Sequence, residues 1–223
     1  MKLLAIETAT DACSAALSID GEIHERFAIT PRGHTERLLP MIDELLAAAG
    51  VSIGQMDALA FGRGPGAFTG VRIAVGVTQG IAFGTDLPVV PISTLAALAQ
   101  GAGADRVLAA LDARMDEVYW GAYQRNTAGR VELVGEESVC APGEVPLPAG
   151  EDWQGAGAGW SAYEAALSAR CAGQATSWEG ACYPHARDVA LLGVAGHEAG
   201  HAVSAEQALP VYLRDKVTWK KIR

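Results

Sequence analysis

A glycine-rich stretch at residues 62–72 is the feature that most constrains the fold of this chain. It follows a short apolar run at 58–61 and leads into residues 73–83, a segment of helical length. Strand, glycine-rich loop and helix in this order are typical of α/β proteins, in which such a loop can present backbone N–H groups to a phosphate. The stretch therefore predicts an α/β fold and makes phosphate binding the first function to consider.

The loop lacks the residues that phosphate-binding loops need. A P-loop continues from its last glycine into Lys and then Ser or Thr, whereas Val71 and Arg72 follow Gly70 here. The dinucleotide fingerprint requires its third glycine at the position of Thr69. We therefore favour a structural role, in which the loop fixes the angle between strand and helix, over phosphate binding. The residues assigned to that role are Gly64, Pro65, Gly66 and Gly70.

Composition narrows the classes of function. The chain has 223 residues, half of them hydrophobic, so it can bury a large core. Its formal charge of −9 disfavours a protein that binds nucleic acid alone, because such binding relies on a positive surface. Its four cysteines include no Cys-x-x-Cys pair, and no apolar run is long enough for a membrane span. We expect a cytoplasmic protein that does not insert into a membrane.

Hydrophobic periodicity predicts two units that begin in the same way. In the first, strands at 2–7, 13–19 and 22–29 precede a helix at 35–49, a strand at 58–61, the helix to about 83, a strand at 88–92 and a short helix at 95–99. In the second, strands are predicted at 107–111, 118–123 and 131–134, irregular loops at 140–159, and helices at 161–170 and 184–198. The pattern thus predicts that one structural unit occurs twice in the chain.

Two halves that each open with a strand-turn-strand hairpin resemble the actin, sugar-kinase and Hsp70 (ASKHA) superfamily. The resemblance implies an α/β two-lobed fold with a duplicated mixed sheet flanked by helices and a degenerate second lobe; we place the lobes at 1–103 and 104–223. It also implies a nucleotide cleft with an Asp and a Gly in each hairpin turn. Here the turns are 7–10 and 112–114, and neither has its glycine. Weak nucleotide binding remains open, with Glu7, Thr8 and Asp112 as weak candidate ligands.

A second chemistry is suggested near the end of the sequence. His197, Glu198 and His201 match the His-Glu-x-x-His pattern of zinc metalloproteases, in which both His side chains face one metal from a continuous helix. Gly196 and Gly200 weaken such a helix, and no clear third ligand follows. We therefore treat the match as a coincidence and assign no metal site.

Five segments together resemble one bacterial family, the threonylcarbamoyladenosine biosynthesis family TsaB, also called YeaZ. They are residues 3–10, His34 with 38–40, 64–73, 112–119 and 210–214. The resemblance implies a catalytically silent relative of the larger enzyme TsaD. It pairs with TsaD, alongside the ATPase TsaE, to place a threonylcarbamoyl group on N6 of adenosine 37 in tRNAs reading codons that begin with A. TsaD holds its metal through a His-x-x-x-His motif after the strand equivalent to 88–92, where this chain has Ser93 and Thr94.

A silent subunit must act by binding. The helix after the glycine loop has glycines at four-residue spacing, and the helix at 35–49 has a wide apolar arc, so we predict that both contact the TsaD-like partner and form a homodimer in its absence. Contact with tRNA is expected only through the complex. The predicted interface consists of His34, Leu38, Leu39, Ile42, Leu45, Arg72, Val75, Gly76, Gln79 and Phe83. The alternatives are an ATP-using transferase that is active alone and, less favoured, the zinc protease.

Overall fold

Two mixed sheets form the frame of the chain in the computed structural model, which describes residues 1–214. The strands of the first sheet are β1 (Lys2–Glu7), β2 (Ala12–Ile19), β3 (Glu22–Ile29), β4 (Ala58–Gly62) and β5 (Val89–Ile92). Their order is β3-β2-β1-β4-β5, with β1 antiparallel to β2 and parallel to β4. An antiparallel meander therefore continues into a parallel β-α-β arrangement.

The second sheet repeats this arrangement. Its strands are β6 (Arg106–Arg114), β7 (Glu117–Arg125), β8 (Val131–Cys140), β9 (Trp153–Ala156) and β10 (Ala175–Glu179). Read from β8, their order is β8-β7-β6-β9-β10, with an antiparallel meander followed by the parallel strands β9 and β10. The prediction of a duplicated ASKHA-like α/β fold is confirmed.

β9 and β10 were not predicted from the sequence. Irregular loops were predicted at 140–159 because of their glycine and proline content, yet Trp153–Ala156 pairs with β6. Gly155 lies under the Trp160 ring, which a Cβ at that position would overlap. The glycine that suggested a loop is therefore a packing requirement of a buried strand.

Six helices flank the sheets in the described part of the chain: α1 (His34–Ala49), α2 (Phe68–Thr85), α3 (Thr94–Gly101), α4 (Ala158–Ala162), α5 (Glu164–Arg170) and α6 (Ala186–Glu198). The helix predicted at 161–170 is thus two short helices. None of the helices within residues 1–214 is long and apolar enough to cross a bilayer.

Both faces of the first sheet are covered. Alternate residues of β1 point to opposite faces, so Leu4 and Ile6 pack with α1 and α2, whereas Leu3 and Ala5 pack with α6. Since α6 lies late in the chain yet covers the first sheet, residues from both halves build this core. The lobe boundary near residue 103 stays a prediction.

The apolar arc of α1 is covered by the chain itself. Leu38, Ile42 and Leu45 are buried in the core with Leu4, Ile6 and other residues of the first sheet, whereas Leu39 is 51% exposed. Most of the wide apolar arc of α1 is therefore used in packing within the chain. A wide arc is also what a helix needs when it contacts both a sheet and a neighbouring helix.

The adjacent leucines of α1 give a matched test of this assignment. We expect Leu38→Ala to lower the free energy of unfolding by about 2–5 kcal/mol, the usual cost of an aliphatic core truncation. Leu39→Ala should change it by about 0.5 kcal/mol or less, as is usual at an exposed position. Urea unfolding monitored by circular dichroism measures both, and equal losses would contradict the burial pattern.

Candidate functional site

A cleft of about 1120 Å³ lies between the two lobes. The first lobe contributes the turn after β1 and the loop that leads into α2, while the second contributes the turn between β6 and β7. Val211, Tyr212 and Arg214, near the end of the described chain, form a further wall. The lining includes four aromatic rings and three guanidinium groups: Phe68, Tyr119, Tyr183, Tyr212, Arg72, Arg114 and Arg214.

The glycine loop packs directly on the turn that follows β1. Ala67 N donates to Ala9 O at 2.7 Å, and Thr8 Oγ1 donates to Gly70 O at 2.7 Å. A Cβ on Gly66 would overlap the carbonyl oxygen of Ala9, and one on Gly70 would overlap that of Thr8. The backbone of one segment therefore occupies the space beside the other, and these glycines permit the approach.

Glu7 and Thr8 do not line the cleft, because both are fully buried. Glu7 Oε1 accepts from Ala9 N at 2.6 Å and Oε2 from Thr94 Oγ1 at 3.3 Å. Burial raises the pKa of the Glu7 carboxyl from its ordinary 4.5 to about 7, and these hydrogen bonds offset only part of the rise. As candidate cofactor ligands, Glu7 and Thr8 are corrected to core residues.

Asp112 does line the cleft, but its carboxylate is engaged within its own turn. Oδ1 accepts from Arg114 N at 2.8 Å and from the Tyr163 hydroxyl at 3.2 Å, and Oδ2 lies 2.9 Å from Arg114 Nη1. The structure therefore does not bring Glu7 and Asp112 together across the cleft as a shared metal site.

The segment after β5 has a structural role. Ser93 Oγ accepts from the backbone N–H groups of Leu95 and Ala96 and so caps α3, while Thr94 binds the buried carboxylate of Glu7. Ser93 and Thr94 thus anchor the start of α3.

The His-Glu-x-x-His pattern is not on a continuous helix. α6 ends at Glu198, and Gly200 takes a left-handed φ of 77°. Gly200 N donates to His197 O at 3.0 Å and His201 N to Gly196 O at 2.8 Å, the two bonds of a Schellman motif. His201 therefore lies beyond the helix end, which contradicts the zinc-protease alternative. Within residues 1–214, no three His, Cys, Asp or Glu side chains are grouped as metal ligands.

Five of the predicted interface residues face inwards. Leu38, Ile42, Leu45 and Val75 are buried in the core, and His34 Nε2 lies 2.9 Å from Thr10 O, which ties α1 to the turn after β1. Their assignment to an interface is corrected, because the first sheet already covers them.

The assignment of the other five residues to a partner interface stays a prediction. Leu39, Arg72, Gly76 and Phe83 are exposed, and Gln79 is half-buried with its amide donating to Ala208 O at 3.1 Å.

Two exposed aromatic side chains at the cleft were not predicted as site residues. Phe68 begins α2 and Tyr212 lies two residues after Pro210; they are 63% and 45% exposed. The Arg72 guanidinium carbon lies 3.1 Å from the centre of the Phe68 ring and 5.2 Å from that of Tyr212. Phe68 and Arg72 are four residues apart on one helix, and this spacing could have indicated the stack.

The raised pKa of Glu7 predicts a pH-dependent stability. Between pH 4.5 and about 7, Glu7 is protonated in the folded state and ionised in the unfolded state. The free energy of unfolding therefore falls as the pH rises through that range. At about 1.4 kcal/mol per pKa unit, the loss is about 3 kcal/mol. We expect Glu7→Gln to remove this slope, since an amide keeps the shape without the charge.

Unfolding free energies at about pH 5 and about pH 8 test this expectation. The exposed Glu22→Gln variant is the matched control, and Asp188, whose pKa burial raises to about 6, contributes equally to all three proteins. An unchanged slope in Glu7→Gln would contradict the assignment.

Three comparisons relate the whole chain to known proteins. A family model described as TsaD, tRNA N6-adenosine threonylcarbamoyltransferase, matches residues 28–222. The tRNA threonylcarbamoyladenosine biosynthesis protein TsaB of Escherichia coli K12 is 43% identical, covering 100% of this chain and 98% of its own length. The TsaB of Haemophilus influenzae is 42% identical, covering 100% and 97%.

Among solved structures, YeaZ from Pseudomonas aeruginosa superposes with a TM-score of 0.89 at 49% identity, over 95% of this chain and 99% of that one. The similarity extends over both lobes and the cleft between them. The chain therefore belongs to the TsaB (YeaZ) family of tRNA threonylcarbamoyladenosine biosynthesis proteins, which is related to the threonylcarbamoyltransferase TsaD.

Proposed function

We propose that this chain is a non-catalytic subunit in the formation of threonylcarbamoyladenosine at position 37 of tRNA, acting in the cytoplasm with a TsaD-like catalytic subunit and a TsaE-like ATPase. The observation that carries the proposal is the end-to-end similarity to proteins named for this biosynthesis. Since the chain has a formal charge of −9, it contacts tRNA only through the complex.

The cleft geometry supports the catalytic silence in this proposal. The carboxylate of Glu7 is buried, that of Asp112 is paired with Arg114, and the glycine loop is packed against the turn after β1. Neither carboxylate is therefore free to hold a metal ion for a nucleotide in the cleft. Any nucleotide in the cleft would therefore be bound weakly and not hydrolysed.

The exposed side of α2 supports partner binding. Gly76, Gly80 and Gly84 lie along it at one-turn spacing, and a Cβ at each would meet no atom within 4 Å. Glycines within a helix lower the stability of that helix. An exposed row of glycines is therefore unfavourable by itself, but it allows another helix to approach closely, and that contact would offset the loss of stability. Phe83 borders the row with 59% of its surface exposed. This face is our proposed contact with the larger paralogue and, in its absence, with a second copy of the chain.

Reconstitution tests the proposed function. Unmodified tRNA is incubated with the purified TsaD-like and TsaE-like proteins and the substrates of the reaction, with or without this chain, and modified adenosine is measured by mass spectrometry. Product only when the chain is present is the expected result. Product formation without it, or ATP turnover by the chain alone that Asp112→Ala abolishes, would favour an independent enzyme.

Substitutions on the exposed side of α2 should separate binding from folding. We expect Phe83→Asp to weaken binding to the TsaD-like protein by about 30-fold, as loss of an interface hot spot does. Gly76→Arg should block the helix contact while raising helix propensity. Leu133→Asp, at an exposed position of β8, is the matched control. Calorimetric titration measures the affinities, and wild-type binding by both α2 variants would refute this interface.

A further inference from the structure

The last described segment, residues 208–214, crosses from the first lobe to the second along the wall of the cleft. We call it the strap. It contains the Pro-Val-Tyr-Leu-Arg sequence at 210–214, to which neither the fold nor the proposed function assigns a role. We propose that the strap is a latch that holds the two lobes at a fixed opening and limits access to the cleft.

The first half of the strap is fastened to the first lobe. The Gln79 side chain on α2 donates to Ala208 O at 3.1 Å, and Val211 N donates to Arg63 O at 2.9 Å. Val211 O also lies so close to Gly64 that a Cβ there would be 3.0 Å away. Backbone contacts therefore fix the course of the strap over the glycine loop.

An aromatic contact continues this attachment. The rings of Tyr212 and Phe68 have centres 6.0 Å apart and are tilted by 31°, and the Arg72 guanidinium lies over both. Aromatic and cation-π contacts of this kind favour one arrangement of the three side chains. Tyr212 is thus held on the first turns of α2.

The end of the strap is fastened to the second lobe. The Arg214 guanidinium donates to the Glu117 carboxylate on β7 and, at 3.4 Å, to Arg114 O. Arg114, Met115 and Asp116 all have left-handed φ values, of 61°, 58° and 61°, which are unfavourable for residues with a side chain. Arg214 therefore binds the second lobe at a turn whose backbone conformation needs stabilisation.

The position of these contacts makes them a latch. α3 and α6 connect the lobes elsewhere, since each packs with core residues of both sheets. The strap is a further connection, and Val211, Tyr212 and Arg214 line the cleft together with residues of both lobes. While the strap is attached to both lobes, they cannot move apart at the cleft unless it releases one of them.

A cysteine in the cleft wall can report how accessible the cleft is to a thiol reagent. Cys182 lines the cleft and is half-buried, while Cys13 and Cys171 are buried. In the full-length chain with Cys140→Ser, reaction with 5,5′-dithiobis(2-nitrobenzoic acid) follows Cys182. We expect Arg214→Gln and Tyr212→Leu each to speed this reaction by about threefold to tenfold, the range for loss of an ordinary hydrogen bond or an aromatic contact.

Charge exchange distinguishes latch release from a general loosening of the fold. Combining Arg214→Glu with Glu117→Arg should restore the slow reaction, whereas either change alone should give the fast one. Arg26→Gln, which breaks an ion pair with Glu44 inside the first lobe, is the matched control and should not change the rate. Unchanged rates in both strap variants, equal acceleration by Arg26→Gln, or failure of the exchange to restore the slow rate would each overturn the latch.

Discussion

The packing of the glycine loop on the turn after β1 is the contact on which the rest of the structure depends. It brings the backbone at Gly66 and Gly70 against Thr8 and Ala9, closer than any side chain would allow. This contact positions the start of α2, and with it both the helix face exposed to solvent and the first-lobe wall of the cleft. Glu7, at the end of β1 just before this turn, has its carboxyl buried in the core. The close backbone approach thus positions both the helix and the wall of the cleft.

Local patterns predicted the parts of the chain whose neighbours are close in sequence. The meander of the first sheet and the duplication follow from alternation and hairpin turns, and α1 from its period. The burial of α1 could not be predicted, because an apolar arc covered by its own sheet and one covered by a partner have the same period. Only the tertiary structure distinguishes Leu38 from Leu39. β9 was missed for a related reason, since Gly155 serves the distant Trp160 ring.

Predicting the candidate site also required knowledge of the tertiary structure. The His-Glu-x-x-His pattern needs a helix that continues to its last residue, and here Gly200 allows the chain to leave the helix first. For the candidate nucleotide ligands, the sequence pattern selected two turns that line the cleft but not the direction of their side chains, so Asp112 reaches the cleft and Glu7 does not. Residue type and spacing specify possible chemistry, whereas backbone direction decides whether the groups meet.

Arg72 connects the two surfaces for which functions are proposed. It extends from the exposed side of α2, next to the glycine row, and stacks on Phe68 and Tyr212 at the cleft. A partner that covers the exposed side of α2 therefore approaches the side chain that holds the strap on the first lobe. If that partner accepts the guanidinium, Tyr212 loses part of its attachment, and the strap is held chiefly through Val211 and Arg214. Partner binding and cleft opening are then linked through one side chain, with no change required in either sheet.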